Sequence, residues 1–243
     1  MKLTSRYLKI FLAITLLLNL VLAYKVIYYK YFRYNPDYTF NRKVLFNHLK
    51  LDSSSIVFVG NSLTQQFELA ELFQNINVKN RGINGDNSTS ILNRLSAVVS
   101  AKPKKIFIET GINDIIEGRS NEKILEDYKL ILSKLLTECP SSKIYVQSIL
   151  PVYEKGLAIR ISPVKNENIR SINHALQMYC ENNHLTFIDL NTVFDLYGEM
   201  NPKYCIEDGL HISGEGYLLM TKILKKYVNE SPSQITRTSF SKK

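Results

Sequence analysis

The chain is poor in the residues that build cross-linked or metal-held folds. Its 243 residues include three cysteines, Cys139, Cys180 and Cys205, too few and too scattered for a disulfide scaffold or a cysteine-based zinc site. One bridge is compatible with that count and leaves one thiol over. No GxxxxGK[ST] run, no HExxH and no paired CxxC occurs, so nucleotide and zinc chemistry have no motif to stand on. Internal repeats and low-complexity tracts are also missing. Hydrophobic residues at 45% and charged residues at 22% sit near the globular average and exclude a disordered or collagen-like chain.

Basic charge is missing from the place where a nucleic-acid-binding domain would carry it. The net charge is +9, but residues 1–50 hold +8 and residues 231–243 hold +3, which leaves residues 51–230 at −2. A folded reader of nucleic acid carries its basic stripe on the folded part. No nucleic-acid partner is expected.

Long apolar runs are absent except at the amino end. There Lys2, Arg6 and Lys9 precede Ile10–Tyr24, fifteen residues without a charge and with only Thr15 and Asn19 strongly polar. A basic start followed by an apolar stretch is the pattern of a secretory signal, and Val21-Leu22-Ala23 offers small or medium residues for cleavage. An uncleaved signal anchor is the other reading. Fifteen helical residues span roughly 22 Å, short of the ~30 Å hydrocarbon core, but Val26–Tyr29 prolong the apolar character and Lys9 and Lys25 can snorkel. Tyr24, Tyr28, Tyr29, Tyr31, Phe32 and Tyr34 then form an aromatic belt at a membrane interface. A buried core helix is the weakest reading, because nothing else in the chain pairs with the segment. Lys25, Lys30 and Arg33 balance the three near-side charges, so charge bias leaves the orientation open. A first segment followed by a whole soluble domain usually exports that domain, and an extracytoplasmic body is expected. The layout is a signal anchor or signal peptide at 1–29, a linker at 30–52 containing Asn35-Pro36-Asp37, a body at 53–230 and a basic polar tail at 231–243.

Within the body, strand and helix signals alternate. Ile56–Val59, ending at Gly60, reads as a buried parallel strand, and Ile76-Asn77-Val78 as a weaker second one. Ser88–Val99 has helical spacing. Lys105–Glu109 reads as a strand, Asn121–Leu136 as a helix, Lys143–Ile149 as a strand stopped by Pro151, Glu167–Glu181 as a helix, Thr186–Leu190 as a strand and Glu215–Val228 as a closing helix. The expected fold is α/β: a three-layer, flavodoxin-like parallel five-stranded sheet with helices on both faces, preceded by the N-terminal hydrophobic helix.

Ligand sites in such sheets gather at the carboxyl ends of the strands. After the first strand, Gly60-Asn61-Ser62-Leu63-Thr64 can expose a serine hydroxyl beside outward-pointing N–H groups, or Ser62 or Thr64 can simply cap a helix. After the second, Asn80–Asp86 carries two glycines, fit for a close approach or a positive φ, or for an ordinary loop. Asn87-Ser88-Thr89 reads as the opening of the next helix. After the third, Thr110-Gly111-Ile112-Asn113-Asp114 offers an amide that can donate to an oxyanion, or a turn or cap residue. Near the carboxyl end, Asp208 and His211 are three apart and can hydrogen-bond, the acid fixing the imidazole tautomer; Ser213 reads as the cap of the closing helix. His48, His174 and His184 read as surface or packing residues.

Jointly, these four segments resemble the GDSL or SGNH hydrolases, named for Ser, Gly, Asn and His from four blocks. The resemblance covers about residues 53–229 and places those four at Ser62, Gly82, Asn113 and His211. Val57–Thr64 and Asn80–Asp86 look most like the acetylhydrolase branch, which includes platelet-activating-factor acetylhydrolase subunits and lysophospholipase-like bacterial esterases. One departure is Asn61, where the commonest motif has Asp. The resemblance implies a serine esterase: Ser62 as nucleophile, His211 as base, Asp208 as its orienting acid, and an oxyanion hole from the Ser62 and Gly82 N–H groups and the Asn113 amide. No metal or organic cofactor is implied. Acetyl groups on sugars, phospholipid acyl chains and other small esters all fall within the family, and an exported domain points to an acylated glycan or lipid of the envelope. Two other classes stay open, an O-acyltransferase with the same chemistry and a catalytically silent binding module. The loop Pro151–Pro163, with Tyr153 and Arg160, reads either as a specificity wall or as a surface connection.

Overall fold

The structure is a computed structural model that describes residues 2–28, 36–157 and 164–230. The chain divides into two compact units, Met1–Leu45 and Phe46–Lys243. Tyr29, Tyr31, Phe32 and Tyr34 of the expected aromatic belt, Arg160 of the expected wall and the tail 231–243 lie outside the described residues.

In the first unit, α1 (Lys2–Tyr28) is one unbroken helix. It runs past Lys25, which supplies the length that Ile10–Tyr24 lacks. Its stretch Arg6–Ile27 has 22 residues, a mean hydropathy of 2.3 and no burial, so by length and composition it can cross a membrane. Between Lys9 and Tyr24, Thr15 Oγ1 donates to Phe11 O at 2.9 Å and Asn19 Nδ2 to Thr15 O at 2.9 Å, so both side chains bond back into the helix. The segment expected as a linker holds a second helix, α2 (Pro36–His48). Pro36, expected within a linker, stands at the first helical position, where its missing N–H costs nothing.

The body is built on five parallel strands, β1 (Ile56–Gly60), β2 (Val78–Gly82), β3 (Lys105–Ile108), β4 (Lys143–Gln147) and β5 (Thr186–Ile188), in the order β2-β1-β3-β4-β5. This is the flavodoxin-like order, with its switch point between β1 and β3. Around the sheet run α3 (Ser62–Gln65), α4 (Leu69–Leu72), α5 (Ser88–Arg94), α6 (Ser96–Val99), α7 (Ile112–Ile116), α8 (Asn121–Glu138), α9 (Asn166–Asn182), α10 (Asn191–Phe194) and α11 (Gly214–Asn229). A small antiparallel hairpin, β6 (Asp195–Leu196) and β7 (Glu199–Met200), follows α10.

Strand alternation sorts the core into two layers. Val57, Val59, Ile106, Ile108, Ile144 and Val146 face one side with the apolar stripes of α5, α8 and α9. Ile56, Phe58, Phe107 and Tyr145 face the other, toward α3, α4, α10 and α11. In-register pairing stacks three rings across the sheet, Phe58 on Phe107 at 4.3 Å and Phe107 on Tyr145 at 4.4 Å between centroids. Such rows bury large apolar area in a fixed geometry.

Where expectation and structure differ, local chemistry explains it. The second strand lies later than Ile76-Asn77-Val78: Ile76 is exposed, and β2 continues through Lys79, Asn80 and Arg81. These polar residues hide the strand signal, but an edge strand with partly exposed side chains tolerates them. The expected helix Ser88–Val99 is two helices, meeting at Leu95. Asn87 opens the first, its side chain accepting from Ser90 N at 2.9 Å. All three cysteines are free, two of them buried. His48, His174 and His184 are exposed.

Two glycines paired in register, Gly60 on β1 and Gly82 on β2, let the next helix sit directly on the strand ends. A Cβ on Gly82 would stand 2.3 Å from Gln65 N and 2.7 Å from Thr64 C, and one on Gly60 would stand 2.2 Å from Thr64 Oγ1. Backbone cannot yield as a flexible side chain can. Gly82→Ala should therefore destabilise the chain by about 1–3 kcal/mol, the usual range for overpacking, read as a lower urea midpoint for the full-length protein.

Candidate active site

Ser62 is the first residue of α3, immediately past the carboxyl end of β1. Asn61 caps the helix, its Oδ1 accepting from Leu63 N at 2.9 Å. The capping that the sequence left to Ser62 or Thr64 thus falls to Asn61, and the serine hydroxyl is released for other partners. α3 is only one turn long, and its carbonyls are tied from outside. Asn80 Nδ2 donates to Thr64 O at 2.6 Å and, just past the helix, to Phe67 O at 3.0 Å, and Tyr217 OH donates to Leu63 O at 2.9 Å. Ser62 is 5% exposed and so held in one place.

His211 Nε2 lies 3.0 Å from Ser62 Oγ, and His211 Nδ1 lies 2.6 Å from Asp208 Oδ2. Asp208 Oδ1 also accepts from Leu210 N at 3.0 Å and His211 N at 2.9 Å. Partial burial pushes the Asp208 carboxyl up, but its bonds from the His211 ring and the His211 and Leu210 N–H groups outweigh that and hold it below the usual carboxylate range. The turn between them needs Gly209, which has φ +70° and whose Cβ would meet Tyr153 O at 2.5 Å. Tyr153 N donates to Gly209 O at 2.8 Å. The described part of the expected wall, through Leu157, is therefore pinned to the Asp–His turn.

The glycine loop after β2 holds its two glycines differently. Gly82, expected as an oxyanion donor, is buried and its N–H donates to Asn80 Oδ1 at 2.9 Å, so this amide is engaged within the fold. Three residues on, Asp86 N donates to Ile83 O at 3.1 Å, closing a turn with Gly85 at its third position. Gly85 is exposed at φ +80°, the position and sign of a type II turn. Asn113, on the first turn of α7, donates from Nδ2 to Asp86 O at 2.8 Å. That bond uses one amide hydrogen and leaves the second for a ligand.

Buried ion pairs fix both loops. Arg94 Nε meets Asp86 Oδ2 at 2.5 Å, and its Nη2 donates to Gly60 O at 3.0 Å. Arg119 bridges Asp114 and Asp127, the latter at 2.7 Å, while Asp114 accepts from Ser88 N at 2.9 Å. Burial pushes the Asp114 carboxyl up even against those bonds. Sequence alone pointed to none of Asn80, Arg94, Arg119 and Asp127, because each acts through a side chain reaching across the fold. The Asp86–Arg94 separation of eight residues was the one local hint.

Among the described residues, no group of three or more His, Cys, Asp or Glu could hold a metal ion. A cavity of about 190 Å³ lined by Arg170, His174 and Asp189 lies by β5 and contains none of Ser62, Asp208 or His211.

The GDSL-like Lipase/Acylhydrolase family profile matches residues 58–219. An N-acylneuraminate cytidylyltransferase of Streptococcus agalactiae is 27% identical over 177 residues, covering 73% of this chain and 39% of the relative. The chain thus spans about two-fifths of the length of that enzyme. The platelet-activating factor acetylhydrolase IB subunit alpha2 of Rattus norvegicus is 27% identical over 190 residues, 74% of this chain and 80% of the relative. A solved Streptococcus pneumonia structure, described as a candidate platelet activating factor, superposes with a TM-score of 0.71 at 27% identity, covering 86% of this chain and 99% of its own. With its five-stranded parallel sheet and a profile match across most of the body, the chain belongs to the GDSL-like lipase/acylhydrolase family.

Proposed function

We propose that the body is a serine esterase that removes short acyl groups, acetyl among them, from an extracytoplasmic glycan or lipid. The observation that carries the reading is the unbroken line from Asp208 through His211 to Ser62, with contacts of 2.6 and 3.0 Å. In this mechanism Ser62 Oγ attacks the ester carbonyl as His211 Nε2 takes its proton, and Asp208 holds Nδ1–H and stabilises the imidazolium. The oxyanion is received by the Ser62 N–H, the second Asn113 amide hydrogen and the exposed Gly85 turn, which replaces Gly82 in that role. His211 then protonates the leaving alcohol, and water resolves the acyl-enzyme by the reverse relay.

Short acyl groups are supported by the acetylhydrolase named among the relatives, and a sugar ester by the relative whose name concerns N-acylneuraminate. An anchored or exported domain is supported by α1, which has the length and hydropathy of a single span or a signal sequence. On this reading the membrane holds the enzyme beside acylated envelope material.

The full-length protein should hydrolyse p-nitrophenyl esters with the short acyl chains preferred, and Ser62→Ala should abolish that activity. Preference for long chains would redirect the reading to a lysophospholipase, and diversion of the acyl group to an added glycan would make the enzyme a transferase. Equal rates for wild type and Ser62→Ala would sink the nucleophile assignment. Asn113→Ala should lower kcat by roughly 10²–10³, the usual loss for one oxyanion donor, with the thermal midpoint as a control for its Asp86 contact. Asp208→Asn keeps the shape but favours the wrong imidazole tautomer, and kcat should fall by up to about 10⁴. Since the Asp208 carboxyl is held below its usual range, wild-type activity should lose nothing to its protonation between about pH 5 and neutrality.

A further inference from the structure

One buried acid has no part in the mechanism above. Glu109 follows β3, is 2% exposed, and sits beneath the nucleophile turn. Its Oε1 lies 3.4 Å from Asn61 Nδ2, and its Oε2 meets no hydrogen-bond partner. The Asn61 amide cannot be turned the other way, because its Oδ1 accepts from Leu63 N. Asn61 therefore faces Glu109 as a donor and can satisfy one oxygen only. The titratable groups around the acid are Asp114 on α7, Tyr128 on α8 and Tyr217 on α11. None is a cation, and Arg94, which reaches the adjoining Gly60 carbonyl, is paired with Asp86. A buried carboxylate with one oxygen unmet and no counter-charge strands a full charge, whereas the neutral acid keeps the Asn61 bond and strands only a hydroxyl, the smaller penalty.

We propose that Glu109 and Asn61 form a neutral buried pair that positions the nucleophile, the protonated acid holding the Asn61 amide whose other end caps α3 and fixes Ser62. With Asp in place of Asn61, two carboxyl groups would face each other at about the present 3.4 Å in a site closed to water, and both could not ionise. Burial pushes the Glu109 carboxyl up to about 8, with Asp114 adding to the push and the Asn61 bond opposing it. Glu109 is a positioning residue, and the proposal rests on Ser62 being the nucleophile.

Its test is a set of full-length variants assayed with p-nitrophenyl acetate from about pH 5 to about pH 9, with thermal unfolding over the same range. Asn61→Asp should lower kcat near neutrality about ten- to a hundredfold through misplacement of Ser62, with KM little changed, or fail to fold. Adding Glu109→Gln to it should restore folding and most of kcat, because the new amide can donate to the new carboxylate. Glu109→Gln alone copies the neutral acid; it should keep kcat near neutrality and lose the alkaline decline of the wild type. Glu109→Ala, which removes the acceptor, should lower kcat without raising KM. For unfolding the sign is set by a raised folded-state value. The contribution of the neutral acid is complete below about 4.5 and is lost as pH rises through about 8. Wild type should therefore lose stability relative to Glu109→Gln across that window. A double variant no better than Asn61→Asp, or parallel pH slopes of unfolding for wild type and Glu109→Gln, would overturn the proposal. Activity retained by Ser62→Ala would instead remove the nucleophile reading, and the unfolding comparison would still decide whether Glu109 is neutral.

Discussion

The contact between the backbone of Thr64–Gln65 and the glycine pair Gly60–Gly82 governs the rest of the site. Because neither glycine has a Cβ, the one-turn helix α3 rests on the ends of β1 and β2 instead of standing off by a side chain. Everything that orients Ser62 depends on that approach. Asn80 reaches the helix carbonyls only from a strand this close, and Arg94 can bridge Asp86 and the Gly60 carbonyl only if both loops converge. A single turn of helix has too few internal hydrogen bonds to persist alone. Here it persists because the sheet, Asn80, Asn61 and Tyr217 hold it from four directions.

Charge inside the body is arranged by the same economy. The buried carboxylates near the loops, Asp86 and Asp114, each meet an arginine and further hydrogen bonds. Breaking one partner of such a pair leaves a buried charge uncompensated, which costs more than the pair contributes. These pairs therefore act as clamps on loop geometry, since moving either loop strands an ion. Glu109 has no such partner, and neutrality is the remaining way to accommodate a carboxyl group there.

Much of the architecture could be read from the residues. Buried parallel strands announce themselves as short β-branched runs, and Ile56–Val59 and Lys105–Ile108 lie where their pattern put them. The amphipathic stripes of α8, α9 and α11 were equally plain. β2 was displaced because its polar residues serve side-chain contacts rather than a core face. α4 and α10 left no trace, and α3 and α7 showed only as places where Ser62, Thr64 or Asn113 could cap a helix, since helices of four or five residues are made by caps and tertiary contacts and leave no period to detect. At the site, the spacing of Asp208 and His211 carried a local signal, and the strand-end rule pointed to Ser62 and Asn113. Gly82 and Gly85 could not be separated by sequence, because both reasons for a glycine, close approach and positive φ, occur three residues apart. Only coordinates show that Gly82 has the first and Gly85 the second.

The two ends of the sheet divide stability from chemistry. At the amino end, Lys105 is buried at the start of β3 and donates to the carbonyls of Tyr227, Val228 and Glu230 at 2.6, 2.8 and 2.6 Å, closing the C-terminus of α11. Lys143 on the next strand pairs with Glu230 at 2.7 Å. A cation at the negative end of a helix is favourable, and here it also satisfies carbonyls that the helix leaves open. At the carboxyl end the opposite holds. Glu109 Oε2, Thr110 Oγ1 and Gln147 Oε1, buried polar atoms without partners, all fall at the exits of β3 and β4. On the proposed reading this end presents a hydroxyl, an amide hydrogen and a positive-φ turn to the substrate, and among the described residues it is also where these polar atoms go unpaired. Closure of the far end by α11 bears on the near end through the helix itself. The helix whose C-terminus Lys105 holds is the one whose N-terminal turn carries Tyr217, bonded to Leu63 O beside Ser62. Anchoring one end of α11 thus steadies the serine at the other.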